Sequence, residues 1–123
     1  MKQKLLVAVA VLLTGGASLL VAQATRPSGP SVEVFKSATC GCCAKWMDHM
    51  RKAGFTVTST DLAEPELQKV KSSHGVPTSA RSCHTARVQG FTIEGHVPPS
   101  EVLRLLKEKP AVAGIAVPGM PLG

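Results

Sequence analysis

Apolar and polar positions change their period several times along the chain. Val32-Glu33-Val34-Phe35, bounded by Pro30 and Ser37, is rich in β-branched and aromatic residues and predicts a strand. From Cys42 the period lengthens. Cys43, Trp46, Met47 and Met50 recur at i, i+3, i+4 and i+7 while Lys45, Asp48, Arg51 and Lys52 lie elsewhere, which predicts a helix capped by Ser37 or Thr39 and ended by Gly54. Phe55 to Thr60 reads as a second strand, and Pro65 opens a short helix carrying Leu67 and Val70. After Val76-Pro77, where Pro77 is a candidate for a cis bond, Ala80 to Val88 and Phe91 to His96 read as two strands joined by a tight hairpin at Gln89-Gly90. Pro98-Pro99-Ser100 starts a last helix with Val102, Leu103, Leu105 and Leu106 as its apolar side, stopped by Pro110. The order β-α-β-α-β-β-α makes this an α/β chain with a mixed sheet in a single thioredoxin-like domain.

The flanks read differently. Met1-Lys2-Gln3-Lys4 is basic, an apolar run follows from Leu5 to Val21, and Ala22-Gln23-Ala24 has the small-x-small form of a cleavage site. Residues 1–24 are therefore expected to be a signal peptide. The alternative is an uncleaved anchor, since the run approaches the roughly 18 residues that span a bilayer, but Thr14, Gly15, Gly16 and Ser18 weaken it as a span. No stable membrane insertion is expected after cleavage. Residues 25–30 read as a mobile lead-in, 31–110 as the domain, and 111–123 as an apolar Gly/Pro-rich tail.

The formal charge of +6 falls to +4 without Lys2 and Lys4, the basic residues form no run, and aromatics are 3% of the chain. With neither a basic patch nor a stacking platform, nucleic-acid binding is excluded. Four cysteines in an exported domain would ordinarily make two structural disulfides. Here three of them fall within Cys40-Gly41-Cys42-Cys43. Adjacent cysteines cannot staple distant parts of a fold, so the cluster is gathered for chemistry.

Cys40 and Cys43 have the C-x-x-C redox spacing, and Cys40 and Cys42 the C-x-C spacing of a chelating pair. Set where a strand gives way to a helix, their sulfurs face the positive end of the helix dipole, which favours thiolate. Clustered thiolates with imidazole suit Cu(I) and zinc rather than magnesium or calcium. Zinc's usual structural arrangement is two separated ligand pairs, so copper is expected ahead of zinc. Further donors are Cys83 and His84 in Ser82-Cys83-His84-Thr85, and His96 in Glu94-Gly95-His96. Adjacent strand residues point to opposite faces, which in a regular strand would keep Cys83 and His84 from sharing a metal. Gly95 leaves room for another group to approach His96. His49, about 10 Å from Cys42 along the helix, belongs on the rim, His74 at a helix end, and Met47 and Met50 in the core. Met120 in the tail is a further possible donor.

Taken in order, Thr39-Cys40-Gly41-Cys42-Cys43 with Trp46 and His49, His74-Gly75-Val76-Pro77, Ser82-Cys83-His84-Thr85 and Glu94-Gly95-His96-Val97-Pro98 form a specific set. Through them, from Val32 to about Pro121, the chain resembles the CopG-like copper-resistance family of bacterial periplasmic proteins. The resemblance implies a thioredoxin-like fold, a periplasmic address, and copper held by Cys40, Cys42 and Cys43 with Cys83 and a nearby histidine. It further implies a role in copper tolerance, interconverting Cu(I) and Cu(II) beside envelope exporters and other copper proteins. Members usually run on past Val117-Pro118-Gly119-Met120, whereas this chain stops at Gly123, which leaves the outer sheet edge open. Two rival readings stand beside this one: a thiol–disulfide oxidoreductase using Cys40 and Cys43, and a metal- or disulfide-stapled module that displays a surface.

Overall fold

The computed structural model describes residues 29–119. Residues 1–24, expected to be a signal peptide, most of the expected lead-in and Met120 lie outside the described residues. The elements are β1 (Ser31–Lys36), α1 (Gly41–Lys52), β2 (Thr56–Asp61), α2 (Glu64–Ser73), a 3-10 turn at Thr78–Ala80, β3 (Thr85–Val88), β4 (Phe91–Glu94), α3 (Pro99–Glu108) and β5 (Gly114–Ala116). They form a mixed α/β architecture with one five-stranded sheet in the order β2-β1-β3-β4-β5. β1 runs parallel to β2 and antiparallel to β3, β3 and β4 form the hairpin, and β4 pairs parallel with β5. β5 comes from the Gly/Pro-rich segment after Lys109, which thus contributes the outer edge of the sheet.

The two faces of the sheet follow from the two-residue period of its strands. Val32 and Val34 of β1, Ala86 and Val88 of β3 and Ile93 of β4 share one face and pack in the core with Trp46, Met47 and Met50 of α1 and Val102 and Leu105 of α3. The opposite face carries Phe35, Thr85 and Glu94, in register with one another, and α2 lies against it. There Lys71 reaches Glu94 Oε1 at 2.5 Å and Thr85 Oγ1 at 3.0 Å. Leu103, expected on the apolar side of α3, is instead 43% exposed, because Val102 and Leu105 already fill the stripe.

Two helix ends are closed by the same backbone device. After α1, Gly54 has φ +98°, its N–H donates to Arg51 O, and the Phe55 N–H donates to Met50 O. After α2, Gly75 has φ +72°, with Gly75 N–H to Ser72 O and Val76 N–H to Lys71 O. Both are the left-handed glycine termination in which the next two amides satisfy the last carbonyls. The hairpin turn has φ > 0 at both Gln89 and Gly90, as a two-residue turn matched to strand twist requires. No peptide bond among the described residues is cis, so the expectation at Pro77 is corrected. Nor is any described helix long and apolar enough to cross a membrane.

Candidate metal centre

β1 ends at Lys36, and a turn closed by the Cys40 N–H donating to Ser37 O delivers the chain to α1. Cys40 itself is the N-cap, with no side-chain cap hydrogen bond. Ser37 and Thr39, expected as caps, bond each other through their hydroxyls at 3.0 Å. The three sulfurs therefore stand at the N-terminus of a 12-residue helix with no acidic residue in its first turn. Cys43 is fully buried, as its place on the core stripe dictates, whereas Cys42 is half-buried and Cys40 lies beside it, Sγ to Sγ 3.4 Å. Cys40 and Cys43 are joined as a disulfide; Cys42 and Cys83 are free.

The second half of the centre comes from the stretch before β3. Residues 81–84 form an isolated bridge and a bend and enter the ladder only at Thr85. The two-face rule thus does not apply to Cys83 and His84, and the sequence argument that set them apart is corrected. Cys83 Sγ lies 3.4 Å from His84 Nδ1. His84 keeps the core-side direction, its ring 4.4 Å from that of Trp46 and 5.3 Å from that of His96. His96 is held in place by its neighbour, since Trp46 Nε1 donates to Val97 O at 2.7 Å. Replacing Trp46 by Phe strands that carbonyl and should cost about 1–3 kcal/mol, read as a lower urea midpoint. Gly95 has φ +78°, and a Cβ there would come within 2.5 Å of Val117 O and 2.7 Å of Ser82 Oγ. The room it leaves is thus filled by backbone and Ser82.

All six residues expected to hold metal converge. Cys40, Cys42, Cys43 and Cys83 form one group, and Cys43, Cys83, His84 and His96 a second, each with donor atoms within 4.8 Å of one another. The groups share Cys43 and Cys83. His84 and His96 each bury an Nε2 with no hydrogen-bond partner among the described residues. Leaving such an atom unsatisfied costs about 1–3 kcal/mol, a penalty that a coordinated cation removes. His49 is exposed and outside both groups, His74 caps α2 with its ring 6.1 Å from Phe35, and Met47 and Met50 are core residues.

Burial pushes the Cys83 thiol above its usual value, the Ser82 hydroxyl opposes this, and the Cys42 sulfur adds to it. Metal must therefore displace a proton at Cys83. Burial, helped by the His96 ring and the Lys71 ammonium, pushes the His84 imidazole down from 6.5 to about 3. It is thus neutral and competent as a donor. Between those two values the unfolded chain binds a proton that the folded chain does not, so this stability is full above pH 6.5 and is lost as pH falls toward 3. From pH 7 to pH 5 the metal-free chain should lose about 2 kcal/mol through this group. A His84→Gln variant should show a shallower acid dependence of its urea midpoint over that range.

Sequence reasoning missed what lies behind the centre. Glu94 Oε1 accepts from Lys71 Nζ and from the Ser82 N–H at 3.0 Å, and Oε2 accepts from Thr85 Oγ1 at 2.6 Å. Lys71 and Glu94 side chains are 1% and 2% exposed. The available signal was Lys71 four residues after Leu67, on the buried side of α2.

A family described as a protein of unknown function, DUF411, matches residues 80–123. No curated protein matches. Two solved structures do, both of the copper resistance protein CopG. Form 1 is 44% identical over 74% of this chain and 70% of that one, with a TM-score of 0.69. Form 2 is 44% identical over 77% and 74%, with a TM-score of 0.68. At that identity and coverage, with a cysteine–histidine cluster able to hold a metal ion, the chain belongs to the CopG copper-resistance family.

Proposed function

We propose that this chain is a periplasmic copper-binding protein of thioredoxin-like build, exported through residues 1–24, that takes up Cu(I) in copper tolerance. The single observation that carries this reading is the pair of buried, unpartnered imidazole nitrogens beside four clustered sulfurs. Soft sulfur with neutral imidazole is a Cu(I) set, and less well a zinc set. Cys40, Cys42, Cys43, Cys83, His84 and His96 are the ligands, and the two sulfurs common to both groups bridge ions. Exporters and other copper proteins of the envelope are the partners such a carrier would serve.

Redox cycling fits the same residues. The Cys40 and Cys43 thiols give two electrons and two protons on joining, which reduces two Cu(II) to two Cu(I) and leaves the disulfide. A thiol donor must then restore the pair. The observed disulfide also favours a second reading, thiol–disulfide exchange through Cys40 and Cys43. Cys42, 3.4 Å from the Cys40 sulfur, speaks against it because it offers a competing partner.

The test is copper content with thiol titration after anaerobic Cu(I) addition to the reduced chain, its Cys42→Ser form and its Cys83→Ser form. Retention of one or more copper ions per chain, with loss in both variants, is expected. Free thiols without tight copper, together with disulfide exchange that survives Cys42→Ser, would establish the exchanger instead.

A further inference from the structure

His96 belongs to two environments. On its inner side it is grouped with Cys43, Cys83 and His84. On its outer side it lines a surface depression of about 200 Å3 with Cys42, Lys45, Trp46 and His49. Cys42 has the same double membership, in the four-cysteine group and in the wall of the depression. Across Cys42 lies a second opening, a cleft of about 520 Å3 bordered by Cys40, Cys42, Cys83 and Arg81. The cluster thus has two mouths, one lined by sulfur and one by imidazole.

Resting on the copper reading above, we infer that the His49–His96 depression is the entrance through which a copper ion reaches the cluster, with His49 the first donor it meets. His49 is exposed on α1, two turns beyond Cys42. It lies outside both inner groups, so it holds an ion on arrival and not at rest. Of the donor side chains lining the depression, His49 is exposed whereas Cys42 and His96 are half-buried, so an arriving ion meets His49 first. From there His96 and Cys42, each shared with the interior, offer the next donors in turn. The depression's own cation is Lys45, so what draws copper there is ligand chemistry and not the local field.

The experiment follows uptake of Cu(I) from a coloured Cu(I)–chelator complex by the reduced chain in stopped flow, alongside copper content at equilibrium. His49→Ala should take up copper about tenfold more slowly yet reach the same final content, and His49→Met, which restores a soft donor, should recover most of the rate. Arg81→Ala at the other mouth should leave the rate within about twofold, well short of that change. An unchanged rate in His49→Ala overturns the entrance. A lowered final content overturns it as well, because His49 would then be a resident ligand. If the wild-type chain takes up no copper, the proposed function falls and the entrance with it.

Discussion

Copper affinity should drop by at least about a hundredfold when the Cys40–Cys43 disulfide is intact, because losing a metal's own ligands costs more than the 10- to 100-fold seen for outer partners. The bond removes two sulfurs from the four-cysteine group and Cys43 from the mixed group. What remains is Cys42, Cys83, His84 and His96, with neither group whole. Thiolate is the ligand form of cysteine, and neither bonded sulfur can supply it. Competition titration with a chromophoric Cu(I) chelator on fully reduced and disulfide-bonded chain checks this. Equal affinity in the two states would remove Cys40 and Cys43 from the site and leave copper to Cys42, Cys83, His84 and His96.

The second large effect concerns the ion pair behind the centre. Replacing Lys71 by Met leaves the Glu94 carboxylate buried beside Thr85 without its cation, and breaking a buried pair in this way costs about 3–5 kcal/mol. For a domain of this size each kcal/mol lowers Tm by about 4–8 °C, so a fall on the order of 20 °C is expected in the metal-free, reduced chain. Removing both charges, as in Lys71→Met with Glu94→Leu, should recover much of the loss, since apolar replacement of a buried pair is often neutral. Recovery will be incomplete, because the Ser82 N–H loses its acceptor. That amide sits one residue before Cys83, so the double variant also measures how far the ion pair positions the metal donors. A single variant within about 1 kcal/mol of wild type would mean the pair is hydrated in solution, contrary to the burial described.

Much of this was legible in the sequence. The i, i+3, i+4, i+7 stripe of α1 named the four residues that are buried, since a helix with one apolar face has little choice about which side to bury. Gly54 and Gly75 marked where α1 and α2 end, and Gly90 marked the hairpin, because left-handed backbone is nearly the preserve of glycine. The six candidate donors, which the structure brings together, were named from residue chemistry and the family resemblance. What was not legible depended on contacts distant in sequence. Whether Cys83 and His84 obey strand alternation turned on the ladder starting at Thr85, which pairing with Phe35 and Glu94 decides. Lys71 stands four residues after Leu67 on the buried side of α2, but what a buried ammonium would pair with there is not legible until Glu94 is known to face it. β5 is three residues long with Gly114 at its start, too short to show a period. Its strand character comes from β4 offering an edge.

In the proposed copper centre, sulfur and imidazole donors from both halves of the chain meet on one site. X-ray absorption at the copper edge of the Cu(I)-loaded, reduced chain tests it most directly. A shell of sulfur neighbours together with imidazole nitrogen is predicted, with the nitrogen contribution falling in a His84→Gln, His96→Gln double variant while the sulfur shell persists. A spectrum without imidazole in the wild type, or one unchanged by the double variant, would contradict it.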